Sequence, residues 1–136
     1  MCANRQAPGA PPKVLLVEDE PAVARMLRIS LRAAGFDVAD AVTGGDALQI
    51  LEREPADAVI LDLGLPDGRG REVLDRLRQA DDSGFHAWVV ISGLDREEAT
   101  GRYGPLGGHF LAKPFDPWDL VRMLQTLLSE RNGGRK

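Results

Sequence analysis

Glu18, Asp19, Asp62, Ser92 and Lys113 share a place in the pattern of this chain: they stand directly after short apolar runs. If the runs are neighbouring strands, three carboxylates, a hydroxyl and an ammonium meet at one rim. Carboxylates so close repel and raise one another's pKa unless a cation sits among them. A hard divalent ion with oxygen ligands resolves that conflict. Mg²⁺ is favoured, because it uses one or two carboxylates, waters and a phosphate oxygen. Lys113 supplies a compact positive charge for a phosphoryl oxygen, and the Ser92 hydroxyl can donate to another. The chemistry such a set supports is in-line phosphoryl transfer onto a carboxylate. Asp62 is the expected nucleophile because it follows the central run. Glu18 and Asp19 are placed to hold the ion, and a backbone carbonyl at Gly64 offers a further metal ligand.

The elements that must position these residues can be read from periodicity. Five runs, Val14–Val17, Phe36–Ala41, Ala58–Leu61, Ala87–Ile91 and His109–Ala112, alternate with helical segments. Three are nearly continuously apolar, as strands covered on both faces are, whereas Phe36–Ala41 alternates and reads as an edge strand. Pro21 suits a first helical position, with Val23, Met26, Leu27 and Leu31 as one stripe and Gly35 closing the helix. Thr43 or Gly44 opens the second helix, with Leu48 and Leu51 facing inward before Pro55 ends it. Val73, Leu74 and Leu77 mark the third. Asp116 and Pro117 form a cap and first position for the last, whose buried face is Leu120, Val121, Leu124 and Leu128. The fourth helix, within Asp95–Tyr103, is expected to be short or mobile because Gly101, Gly104, Pro105, Gly107 and Gly108 crowd its end. This alternation predicts an α/β fold: a doubly wound five-stranded parallel sheet of flavodoxin-like order 2-1-3-4-5 with five helices, its site beyond the carboxyl ends of the strands.

Bulk properties narrow the field. A chain of 136 residues suits one domain, expected over Lys13–Ser129, with mobile tails at Met1–Pro12 and Glu130–Lys136. No apolar stretch approaches the roughly 20 residues of a membrane span, and no secretory signal precedes the domain, so a cytoplasmic location is expected. Cys2 is the single cysteine, which removes internal disulfides and cysteine metal sites. With 21 acidic against 17 basic residues and scattered arginines, direct nucleic-acid binding is not expected.

The segments Val14–Pro21 (VLLVEDEP), Asp57–Gly68 (DAVILDLGLPDG), Val89–Gly93 (VVISG) and Phe110–Phe115 (FLAKPF) resemble the signature blocks of response-regulator receiver domains in order and spacing. The resemblance spans about Lys13 to Ser129. It implies a phosphoprotein of two-component phosphorelay signalling in which Glu18 and Asp19 are the acidic metal pair, Asp62 the phosphoacceptor, Ser92 the switch hydroxyl and Lys113 the phosphate-binding lysine. It further implies a cis peptide before Pro114. A sensor histidine kinase or a histidine phosphotransfer domain would be the donor, and a phosphorylation-dependent dimer is one assembly it leaves open. Phosphorylation would draw Ser92 toward the phosphoryl oxygens and let Phe110 turn inward, altering the surface of helix 4, strand 5 and helix 5.

Some positions depart from the family's pattern. Phe110 stands where tyrosine is frequent, and Gly64 and Leu94 occupy positions that help set phosphate lifetime. Glu20 reads as a first-turn helix charge, Asp67 and Gly68 as turn chemistry, and His86 and His109 as surface or edge residues without ligand partners. Trp88 reads as core and Trp118 as a first-turn packing residue. No second domain is expected after Glu130, which suggests a stand-alone regulator or a relay intermediate that is not an enzyme acting on an external metabolite. Two other classes share parts of this pattern. One is a phosphorylation-independent interaction domain of the same fold. The other is a Mg²⁺-dependent phosphohydrolase, disfavoured because Gly64 stands where a second acid is needed.

Overall fold

A computed structural model of the chain describes residues 10–81, 87–106 and 109–133. The strands are β1 (Lys13–Val17), β2 (Asp37–Ala41), β3 (Ala58–Asp62), β4 (Ala87–Ser92) and β5 (His109–Ala112). They alternate with α1 (Pro21–Ala33), α2 (Gly44–Arg53), α3 (Gly70–Asp81), α4 (Arg96–Tyr103) and α5 (Pro117–Gly133). All neighbouring strands pair in parallel in the order β2-β1-β3-β4-β5, as the alternating pattern predicts. The alternating run β2 is indeed at an edge.

Alternation along each strand divides the core into two layers. Leu15, Val17, Val59, Leu61, Trp88 and Val90 face one way and meet Ala47 of α2, Val73, Leu74 and Leu77 of α3, and Ala99 of α4. Val14, Leu16, Ala58, Ile60, Val89 and Ile91 face the other way, against Leu27 and Leu31 of α1 and Leu120, Val121, Leu124 and Leu128 of α5. β3 and β4 are buried along their whole length. Such strands need helices on both faces, because the hydrophobic contribution of each apolar side chain requires its removal from water.

Helix starts follow the expected caps. Thr43 accepts a hydrogen bond from the Asp46 amide to open α2, and Pro21 occupies the first turn of α1. Two side chains depart from their expected places. Met26 is 40% exposed and Trp118 is 46% exposed. At about 100° per residue, Met26 falls to the flank of the stripe set by Leu27 and Leu31, and Trp118 points away from the Leu120–Leu124 face. Leu48 and Leu51 are half-buried against the first core layer. The helix α5 continues through Gly133, past the Ser129 boundary expected from its glycines.

The fourth helix is short, as its glycines predict, at eight residues. It buries Ala99 alone. Its start is a reciprocal capping box in which Asp95 accepts from the Glu98 amide and Glu98 accepts from the Asp95 amide. Gly104 ends it at φ +84°, in the left-handed region that favours glycine. The carbonyls beyond its last turn are satisfied from α3. Arg78 donates to Tyr103 O at 2.7 Å and to Pro105 O at 3.1 Å. Arg71 donates to Arg102 O and lies over the Tyr103 ring at 5.4 Å. Gly107 and Gly108, part of the same expectation, lie outside the described residues, as do His86 and the first nine residues.

With so little apolar burial of its own, α4 depends on this clasp. Arg78→Ala is expected to lower stability by about 1–2 kcal/mol and to speed amide exchange selectively over residues 96–106. Hydrogen exchange with mass-spectrometric readout checks this; uniform protection in the variant would show that α4 is held by other means.

Candidate functional site

The rim at the carboxyl ends of the strands is fixed by backbone hydrogen bonds that carry the ladder one residue further. The Glu18 amide donates to Ala41 O, the Leu63 amide to Ile91 O and the Lys113 amide to Ser92 O. Asp62 and Ser92 are themselves the last strand residues of β3 and β4, where the sequence places them just after the strands. Both are therefore buried, Asp62 at 4% exposure. Gly70 tightens the rim further. A Cβ there would lie 2.7 Å from Leu63 O, so the start of α3 packs directly on the backbone that follows Asp62.

The expected acidic residues do converge. Carboxylate oxygens of Glu18, Asp19 and Asp62 lie within 4.8 Å of one another. Glu18 is only 2% exposed, and its Oε1 accepts no hydrogen bond although the Lys113 ammonium stands 3.2 Å away. A buried carboxylate oxygen left in that condition is unfavourable and offers a lone pair for a cation. The donor set is entirely oxygen, which fits a hard divalent ion. Burial, opposed by the Glu20 amide and reinforced by the Asp62 charge, pushes the Glu18 carboxyl up to about 7.

Lys113, reached from β5 and followed by the expected cis peptide to Pro114, crosses this cluster. Its Nζ donates to Asp62 Oδ2 at 3.0 Å, Glu20 Oε1 at 3.0 Å and Glu18 Oε2 at 3.4 Å. Burial works against the ammonium, but the bonds to Glu20 and Asp62 and the charges of Asp62 and Glu18 outweigh it, raising the Lys113 pKa above its ordinary value. The other Asp62 oxygen, Oδ1, accepts from the Gly64 amide at 3.1 Å. Gly64 is thus beside the site, and the contact it makes to Asp62 is through its N–H. Ser92 Oγ accepts from the Leu94 amide at 3.0 Å, which leaves the hydroxyl proton available for donation.

Phe110 lies in the first core layer and is buried, with the Arg96 guanidinium 5.3 Å from the ring centroid. The expectation that phosphorylation turns this ring inward meets a ring already inside. The physical reason is its composition: without a phenol hydroxyl to solvate, an aromatic ring on a strand gains most by burial. His109, on the same strand, is half-buried.

Two residues assigned bland roles in the sequence make specific contacts. Glu20 is one, through its bond to Lys113. Asp67 is the other: its Oδ1 accepts from the Gly44 and Arg69 amides and its Oδ2 from the Gly45 amide, stapling the loop after β3 to the start of α2. Those amides, Gly45 first, hold its carboxyl below the usual range. Neither contact leaves a periodic trace in the sequence; a carboxylate in a turn facing a glycine-rich helix start is the only available hint.

Against known proteins, the family model for the response regulator receiver domain matches residues 14–125. The chain is 51% identical over 116 residues to the transcriptional regulatory protein KdpE of Mycobacterium tuberculosis, covering 83% of this chain and 49% of that protein. It is 33% identical over 124 residues to the probable transcriptional regulatory protein TcrX of the same organism, covering 91% of this chain and 53% of that one. The chain thus spans about half the length of these curated relatives. Among solved structures, the chemotaxis response regulator CheY4 of Vibrio cholerae superposes with a TM-score of 0.75 at 27% identity, covering 87% of this chain and 99% of that one. A CheY-like receiver domain from Methanospirillum hungatei shares the fold with a TM-score of 0.81 at 24% identity, over 92% of this chain and 99% of that one. Among the described residues no helix is long and apolar enough to cross a membrane. The sheet order, the acidic rim and the family match lead to one conclusion: the chain belongs to the response regulator receiver domains of two-component signal transduction.

Proposed function

We propose that the chain accepts a phosphoryl group on Asp62 from a phosphohistidine of a sensor histidine kinase or a phosphotransfer domain, with Mg²⁺ held by Glu18, Asp19, Asp62 and the Gly64 carbonyl. The observation that carries this reading is the buried carboxylate cluster with an unbonded Glu18 oxygen, spanned by a single lysine. Bound Mg²⁺ would supply charge neutralisation for the carboxylates and for the incoming phosphoryl oxygens. In the transfer an Asp62 oxygen forms the new P–O bond as the donor's P–N bond breaks, and the histidine nitrogen keeps the electron pair of that bond. Lys113 stabilises charge on the phosphoryl oxygens. Ser92 donates its hydroxyl proton to another of them while its Oγ accepts from the Leu94 amide. The shared hydroxyl couples Asp62 to the loop leading into α4 and biases a pre-existing equilibrium of the α4, β5 and α5 surface. Phe110 takes part as a fixed buried ring under Arg96, so the mobile partner in this account is the arginine and its helix. A cytoplasmic setting accords with a kinase donor, and the output is contact with a further protein surface.

Incubation of the full chain with acetyl phosphate and Mg²⁺ is expected to add one phosphoryl group, read by intact mass and released by hydroxylamine as an acyl phosphate is. Asp62→Asn should abolish the addition, chelation of the metal should stop it, and Lys113→Ala should slow it by about two orders of magnitude. Undiminished labelling of Asp62→Asn would sink the assignment.

The charge cluster also sets a pH dependence. Glu18 holds its proton more tightly folded, at about 7, than unfolded, where 4.5 applies. The metal-free protein therefore loses stability as pH rises from about 4.5 through 7. Glu18→Gln removes that loss. Urea unfolding in chelator at pH 5.5 and 8 tests it: the variant should gain on the parent at the higher pH, and parallel curves would contradict the assignment.

A further inference from the structure

Lys113 has three ammonium protons and gives one to each of three carboxylates, two of which belong to the acidic cluster and one of which, Glu20, does not. Glu20 occupies the N-cap position of α1 with extended backbone, φ −80° and ψ 115°, where a side-chain oxygen ordinarily accepts from an amide of the first turn. Its carboxylate makes no such bond. It reaches instead across the rim to Nζ at 3.0 Å, from a side chain that is 59% exposed. Its amide meanwhile donates to Glu18 Oε2 at 3.1 Å, which fixes the start of α1 against the cluster.

From this arrangement we infer that Glu20 is a positioning residue: it anchors the Lys113 ammonium outside the acidic cluster, so that a divalent cation and the lysine can occupy the rim together. The inference rests on the magnesium reading given above. A cation bound among Glu18, Asp19 and Asp62 draws on the lone pairs that Lys113 uses in its absence, and it places a second positive charge beside the ammonium. Like charges at that separation repel, and the repulsion is screened little in a buried site. The Glu18 and Asp62 contacts are the ones the cation competes for. The Glu20 contact is free of that competition, and it keeps the ammonium neutralised and aimed at Asp62. Without it, Lys113 has only the cluster carboxylates as partners and opposes cation entry.

General loss of negative charge would also weaken cation binding, so the test isolates the route through Lys113. Mg²⁺ alone is titrated into the ¹⁵N-labelled full chain, following amide shifts of which Gly64, donor to Asp62, is the direct reporter. The set comprises the parent, Glu20→Gln, Lys113→Met and the double variant. Lys113→Met keeps the apolar stem, and the spectra report whether each variant is folded. Glu20→Gln is expected to weaken Mg²⁺ binding about two- to fivefold in the parent, the scale of a half-exposed ion pair, and to have no effect in the Lys113→Met background. Should Lys113→Met not fold, Lys113→Gln takes its place in the cycle. Equal weakening in both backgrounds would mean that Glu20 acts only by its potential and would overturn the inference, as would no change in either. A parent chain with no saturable response to Mg²⁺ would instead remove the magnesium reading itself and this inference with it.

Discussion

Three carboxylates and one ammonium confined within a few ångströms, mostly out of water, is the condition around which the rest of the molecule is arranged. In a flexible chain such groups would separate, because mutual repulsion and desolvation both oppose their meeting. Here they cannot separate. The Glu18, Leu63 and Lys113 amides are bound into the extended ladder, so the rim geometry is set by the sheet and not by the charges themselves. The apolar stabilisation of two core layers thus holds an unfavourable electrostatic arrangement, which is what a site prepared for a cation and an anionic group requires.

The same logic accounts for the asymmetry between the two sides of the rim. On the α1 and α5 face the sheet is backed by leucines of long helices. On the α4 side the backing is a single buried alanine, a capping box and arginines reaching from α3. Rigid support lies under the acidic cluster, and polar, exchangeable contacts lie under the helix that follows Ser92. Elements able to change arrangement are drawn from such weakly buried parts.

Much of this was readable from residue order. Apolar runs interrupted by helical stripes specify the sheet, and the residues that end those runs specify the rim, so Glu18, Asp19, Asp62, Ser92 and Lys113 group together on residue order alone. The capping box of α4 has a local signature in the spacing of Asp95 and Glu98, though the glycines at the other end of the helix dominate its pattern. What escaped were contacts set by distance in space. Glu20 meets Lys113 across 93 positions, and Arg78 meets Pro105 across 27. No period or local motif encodes either. Phe110 lies on the expected strand with its ring already buried, and its contact with Arg96 is likewise set through space. Trp118 and Met26 depart for a different reason: hydrophobicity alone ignores the helical phase that the leucines fix.

The staple made by Asp67 separates two kinds of acid behaviour in one molecule. Its carboxylate is bound by three amides that hold it below the usual carboxylate range, whereas burial raises the Glu18 carboxyl to about 7. In the metal-free protein, mild acidification therefore neutralises part of the acidic cluster while the loop that frames it remains fastened to α2. Charge in the cluster can thus change while the backbone that surrounds it keeps its geometry.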